Sequence, residues 1–228
     1  MNRNIWITGG SGNMGKAVIE KFLESGDMVT ATLAPGEKKP ELKGAVNWLE
    51  VDLSDEAKVE EILNTAYGKQ GTVDAAILTV GGFAAGNLQK TTAADIQKMV
   101  ELNFITAFNT VKPVFLKMKE KGEGRIFLIG ARPAINMSDS TGILAYGISK
   151  SMIFRLAEFL NAEAKGTKVV VHVIVPSTID TPQNRKSMPD VNPEKWVKAS
   201  QIADIIHFYC SSAADPIREP VIKIYNQA

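Results

Sequence analysis

Tyr146 and Lys150 stand four residues apart in Tyr146-Gly-Ile-Ser-Lys150, a spacing that brings a phenol and an ammonium to one face of a helix. The ammonium favours the ionised phenol and is expected to draw its pKa from about 10 toward neutrality. Such a group exchanges a proton with a substrate as electrons arrive or leave. Far upstream, Thr8-Gly-Gly-Ser-Gly-Asn-Met-Gly15 follows the strand-like Ile5-Trp-Ile and opens an apolar helical pattern. Glycines at 9, 12 and 15 permit a tight turn, close approach of the backbone to a pyrophosphate and close helix–strand packing. The helix N-terminus adds amide donors and a positive dipole end. The two segments together describe a nicotinamide dinucleotide cradle at Gly9, Ser11, Gly12, Asn13, Met14 and Gly15, with a proton donor beside it. A glycine-rich turn without a ligand is the plainer reading of the first segment alone.

The adenosine end is read from the ends of the strands. Asp52, followed by Leu53, closes the third strand pattern; its carboxylate either accepts from an adenine amino group or makes turn bonds with Ser54. Val80, Gly81 and Gly82 close the fourth, where missing side chains leave room for a ribose. The second strand ends near Ala34, where many nicotinamide enzymes carry an acid for the ribose 2′-hydroxyl. Without a carboxylate there, and with Lys38 and Lys39 following, NADP(H) is favoured and NAD(H) stays open. A solvated turn is the other reading of these lysines.

These groups are positioned by strands at Ile5–Thr8, Met28–Leu33, Val46–Val51, Val73–Val80, Arg125–Ile129, Lys168–Val175 and Val221–Tyr225. They alternate with helical patterns at Met14–Glu24, Glu56–Tyr67, Ala93–Lys119, Leu144–Ala164 and Gln201–Ser211. The alternation predicts right-handed βαβ units with helices on both faces of a parallel sheet. Ser54 is expected to cap the second helix, and Gly26, Gly122 and Gly166 to end helices. The segment from Ile179 to Lys198, with Pro182, Pro189 and Pro193, reads as a long loop of the kind that usually carries function.

The chain has 228 residues, 45% of them hydrophobic and 22% charged, which suits one large α/β domain over residues 1–228. Its formal charge of +1, with scattered Lys and Arg, supplies no basic field for nucleic acid. No apolar run reaches the roughly 18 residues of a membrane span, and a cytoplasmic protein with no membrane partner is expected. A single cysteine, Cys210, excludes a disulfide framework, and no metal site is expected from the spacing of His, Cys and acids. His172 reads as a strand residue and His207 as a lone helix position.

The glycine turn, Asn103 in Leu-Asn-Phe-Ile-Thr, Tyr146-x-x-x-Lys150 and Pro176-Ser-Thr-Ile-Asp-Thr181 occur in an order that resembles the short-chain dehydrogenase/reductase family over nearly the whole chain. Gly81-Gly-Phe-Ala-Ala-Gly-Asn87 and Asp180-Thr-Pro-Gln-Asn-Arg-Lys-Ser-Met-Pro189 resemble its dihydropteridine reductases. The resemblance implies a single-domain, doubly wound Rossmann-like fold of class α/β with a mostly parallel seven-stranded sheet. It implies that Tyr146 is the proton donor and that Lys150 holds the nicotinamide ribose and tunes Tyr146. Asn103 would keep a water at a break in its helix. Pro176, Ile179 and Thr181 would bind the nicotinamide end, with Thr181 and the Ile179 backbone on the carboxamide. It also implies a homodimer or homotetramer through the two long helices.

Departures from the family pattern narrow the chemistry. The serine that hydrogen-bonds a substrate carbonyl is replaced at Ala131, with Ser138, Ser140 and Thr141 as candidates to stand in or as plain turn residues. Asn13 takes the place of the middle glycine, Ser177 that of another, and Leu78-Thr-Val-Gly81 that of Asn-Asn-Ala-Gly. Phe83, Met188 and Trp196 are candidates to line a flat apolar pocket, with Asn184 and Arg185 on a mobile flap over 179–198; surface packing competes for Trp196. The expected reaction is hydride transfer to a small organic acceptor, favouring a quinonoid dihydropteridine-like ring. A small carbonyl compound or alcohol, or a nucleotide-sensing protein without chemistry, are the alternatives.

Overall fold

A computed structural model describes residues 2–227; Met1 and Ala228 lie outside the described residues. Strand β1 (Asn4–Thr8) leads into α1 (Asn13–Glu24), and β2 (Met28–Leu33) and β3 (Val46–Glu50) precede α2 (Glu56–Gln70). After β4 (Ala75–Leu78) come α3 (Ala93–Val100), a π-helical turn (Glu101–Ile105) and α4 (Thr106–Lys121). Then follow β5 (Glu123–Ile129), α5 (Leu144–Glu163) and β6 (Lys168–Pro176). The chain ends with β7 (Ile179–Asp180), α6 (Pro182–Ser187), β8 (Val197–Lys198), α7 (Ala199–Tyr209) and β9 (Val221–Ile224).

Seven strands form one sheet in the order β3-β2-β1-β4-β5-β6-β9, parallel at every pairing. Alternate residues point to opposite faces. Trp6, Ile126 and Leu128 join a core that includes Val111 and Phe115 of α4 and Ile153 of α5. Ile5, Ile7 and Phe127 join the other, with Phe22 of α1 and Ile202 and Ile206 of α7. Both faces are covered, which is why these strands are apolar almost throughout. The chain runs outward from β1 to β3 and then crosses to β4, so strand order reverses between β1 and β4. A crevice opens at that reversal, beyond the carboxyl ends of the strands.

The pattern from Ala93 to Lys119 predicts one helix, but the π turn at Glu101–Ile105 divides it. Such turns break the regular backbone ladder and are frequent at functional sites. Pro113 inside α4 costs about 3 kcal/mol. Buried Val111, Val114, Phe115 and Met118, at roughly 1.5–3 kcal/mol each, outweigh it and keep α4 intact.

The cap of α2 differs from expectation. Asp55 accepts from the Lys58 amide, while the Ser54 hydroxyl donates to Asp52 Oδ1 at 2.7 Å. Segment 179–198 is not the structureless loop that its prolines suggest. Ile179 pairs with Val197 and Asp180 with Lys198, forming a neck, and Thr181 caps the short α6 between them. Trp196 is buried in this neck at 2% exposure, and its carbonyl accepts from Asn226 Nδ2 at 3.0 Å.

Candidate active site

The glycine turn is built by backbone contact. Gly9 has φ +68°, its carbonyl accepts from the Gly12 amide at 3.0 Å, and Val80 packs directly on it. A Cβ on Gly15 would stand 2.2 Å from the Gly9 carbonyl oxygen, so α1 approaches β1 only because Gly15 has none. Gly10, which sequence reasoning passed over, donates to Thr32 O at 2.9 Å and lies under the ring of Trp48. Gly12 begins α1 with no side-chain cap and no acid in the first turn, leaving a helix end suited to an anion. This cradle, with Ser11, Asn13 and Met14 along it, fits a dinucleotide pyrophosphate, because the close packing of Gly15 on Gly9 brings the uncapped start of α1 to the end of β1.

At the adenosine end, the fold brings in a residue that strand-end reasoning missed. Glu37 Oε2 accepts from Ser11 Oγ at 2.6 Å and from the Ala34 amide at 3.3 Å. The sequence lacks an acid at Ala34 itself, but the turn after β2 folds one back onto it. Asp52 engages Ser54 through one oxygen, and those bonds hold its carboxyl below the usual range. Turn chemistry thus occupies one Asp52 oxygen. Asn109 Nδ2 of α4 donates to the carbonyls of Leu53 and Ser54 at 2.9 and 3.0 Å, fixing this loop from below.

The π turn, β4 and α5 meet at Asn103. Its Oδ1 accepts from the Gly82 amide at 2.9 Å, and its Nδ2 donates to Gly82 O at 3.1 Å and Ser149 Oγ at 3.0 Å. An exposed polar helix position was the competing reading of Asn103; at 1% exposure it is buried. Lys150 Nζ donates to Ile129 O at 2.8 Å. A Cβ on Gly81 would lie 2.7 Å from Asn103 Oδ1 and 3.1 Å from Lys150 Nζ, so amide and ammonium flank one glycine.

Burial sets the proton chemistry here. It pushes the Tyr146 phenol up to about 12 and lowers the Lys150 ammonium to about 8. The phenol thus moves away from neutrality, opposite to the expected drop, and burial is the cause. At neutral pH the phenol is therefore neutral and the ammonium mostly charged.

On the substrate side, Phe83 meets Tyr146 edge-on, ring centroids 5.1 Å apart at 66°, while itself 64% exposed. Ala131, two residues beyond the Ile129 carbonyl that holds Lys150, is buried. Ser138 donates to Asn136 Oδ1 and Ser140 to Pro133 O, which makes both hydroxyls parts of their own turn. Two polar flap residues expected to face a substrate bond within the flap itself. Asn184 Nδ2 donates to Ile179 O at 2.8 Å, and Arg185 pairs with Asp180 at 2.6 and 2.8 Å, because each finds a partner within its own short segment. Met188 ends α6 half-buried, and Thr181 spends its hydroxyl on the Asn184 amide at 3.1 Å; Pro176 closes β6 beside the neck.

His172, Cys210 and His207 belong to other parts of the fold. Burial lowers His172 to about 4 and raises Cys210 to about 12, so both stay neutral. His207 is not isolated as the sequence suggested, since its Nε2 lies 2.9 Å from the Arg3 guanidinium. Among the described residues, no helix is long and apolar enough to cross a membrane.

Comparison with known proteins agrees with this geometry. A family model described as short chain dehydrogenase matches residues 3–192. A dihydropteridine reductase of Dictyostelium discoideum is 27% identical over 227 residues, covering 98% of this chain and 94% of that protein. A 3-dehydrosphinganine reductase of Danio rerio is 28% identical over 192 residues, covering 78% of this chain but only 57% of that longer protein. The solved structure of ElxO with NADP bound superposes with a TM-score of 0.90 at 23% identity, covering 99% of this chain and 98% of that one.

Proposed function

The chain belongs to the short-chain dehydrogenase family and is an NAD(P)-dependent oxidoreductase, and from that premise we propose that it reduces a quinonoid dihydropteridine-like ring. The observation that carries this reading is a neutral, half-buried phenol at Tyr146 beneath the edge of Phe83, combined with an alanine at position 131 in place of a hydroxyl. A conjugated ring that takes up one hydride and one proton needs a proton donor and a flat apolar surface. It has little need of a second hydroxyl to polarise a carbonyl. Likeness to a dihydropteridine reductase over nearly the full length supports the same acceptor.

Reduced nicotinamide, when bound, supplies the hydride. The residues of this chain do the rest. The glycine turn and the uncapped start of α1 would bind the pyrophosphate. Lys150, steadied by Ile129 O, would hold the nicotinamide ribose and offset the charge left on the phenol. Tyr146 gives its proton to the ring nitrogen made basic by reduction. Thr181 and the Ile179 backbone would face the carboxamide, and Phe83 and Met188 would supply an apolar surface for the acceptor. Asn184 acts on the flap by bonding Ile179, not on the acceptor.

Glu37 bears on the choice of cofactor. Its carboxylate on Ser11 and Ala34 suits the ribose 2′-hydroxyl of NAD(H) and repels a 2′-phosphate. This shifts the leaning toward NADP(H), which rested on Ala34. Exposed Leu116 on α4 and Ile148 and Phe159 on α5 fit a homodimer or homotetramer joined through those helices.

The deciding experiment is turnover of quinonoid dihydropterin against small ketones and aldehydes with either reduced cofactor. Faster oxidation of cofactor with the pterin than in its enzyme-free control is expected. A rate equal to that control, alongside turnover of a carbonyl compound, overturns the pterin reading.

A further inference from the structure

We infer that Ser149 is a positioning residue for the proton-transfer site: its hydroxyl holds the Asn103 carboxamide and so locks the first turn of α5 to the π-helical break. This rests on the reading of Tyr146 and Lys150 as the proton-transfer pair. Ser149 lies between those two in the chain, three residues after Tyr146 in the first turns of α5, and is wholly buried at 0% exposure. A serine hydroxyl has one proton. Here it goes to the Tyr146 carbonyl at 2.8 Å, leaving a lone pair that accepts from Asn103 Nδ2 at 3.0 Å.

That arrangement also fixes the amide. Gly82 O and Ser149 Oγ both require the nitrogen of Asn103, and the Gly82 amide requires its oxygen, so one orientation satisfies every partner. Three segments then share a single carboxamide: the end of β4, the π turn and α5. Gly81, with no side chain to spare, sits between that amide and Lys150 Nζ. A shift of the amide is therefore a shift of the wall against which Lys150 lies. A serine that merely back-bonded within its helix would have no partner on another element.

The inference is tested with Ser149→Ala, Asn103→Ala and the double variant, measuring turnover and the dissociation constant of the reduced cofactor. We expect Ser149→Ala to lower kcat about tenfold while cofactor affinity stays within about twofold. In the Asn103→Ala background it should cost less than about twofold more, because the two act as one unit. Unchanged kcat in Ser149→Ala, or a loss that multiplies in full with that of Asn103→Ala, overturns the inference. If Ser149→Ala yields no folded protein, Ser149→Cys, nearly isosteric with a poor acceptor, takes its place with a loss of about threefold or more expected. A wild-type protein that binds cofactor but turns over no acceptor defeats the catalytic reading instead. Ser149 is then judged by hydrogen exchange at the Gly82 amide, which should quicken about tenfold or more in Ser149→Ala; unchanged exchange counts against it.

Discussion

Gly15 lies directly over the carbonyl of Gly9, so close that a single added methyl would stand 2.2 Å from that oxygen. Contact with backbone cannot be relieved by a rotamer change. Gly15→Ala should therefore spread the turn, weakening dinucleotide binding at least tenfold and lowering the melting temperature. Gly68→Ala is the contrast: Gly68 is inside α2 with open space where its Cβ would be, and alanine there should stabilise by about 0.5–1 kcal/mol. Cofactor titration and thermal melts of both variants check the pair.

Tyr146→Phe removes the proton and little else. Affinity for reduced cofactor should be unchanged, and turnover should fall about a hundredfold or more. Wild-type turnover in this variant excludes Tyr146 as the acid.

Lys150 links activity and stability to pH. Its ammonium is lowered from 10.5 to about 8 by burial, so turnover should decline as pH rises through about 8 and the charge is lost. Stability runs the other way. Between about 8 and 10.5 the unfolded chain binds the extra proton, so stability rises with pH across that window, and below it the charged lysine costs the fold on the order of 2–4 kcal/mol. Lys150→Met should gain about 1–3 kcal/mol at pH 7, offset in part by the lost bond to Ile129, while abolishing most turnover. Denaturant melts at pH 7 and pH 10 separate the variant from the parent: the gain should shrink at the higher pH.

Glu37→Gln keeps the bonds to Ser11 and Ala34 but removes the charge. The ratio of NADPH to NADH affinity should rise about tenfold, read by fluorescence titration with each cofactor. An unmoved ratio would show that Glu37 plays no part in the choice.

The sequence by itself determined the order of the seven sheet strands along the chain and most helices between them, the glycine turn, the spacing of Tyr146 and Lys150 and the parallel sheet. Each follows from short-range spacing: period 2 or 3.6 in apolar residues, and glycine where nothing larger fits. Only the tertiary structure decided what long-range burial controls. Tyr146 is raised instead of lowered because the fold takes it out of water, and spacing along a helix carries no measure of desolvation. Glu37 reaches the end of β2 through the path of a turn, and Asn184 and Arg185 bond inside a neck made by two strands eighteen positions apart in register. The π break at Asn103 is likewise invisible to periodicity, since it comes from packing of α3 and α4 around a carboxamide whose partners, Gly82 and Ser149, lie 21 and 46 residues away.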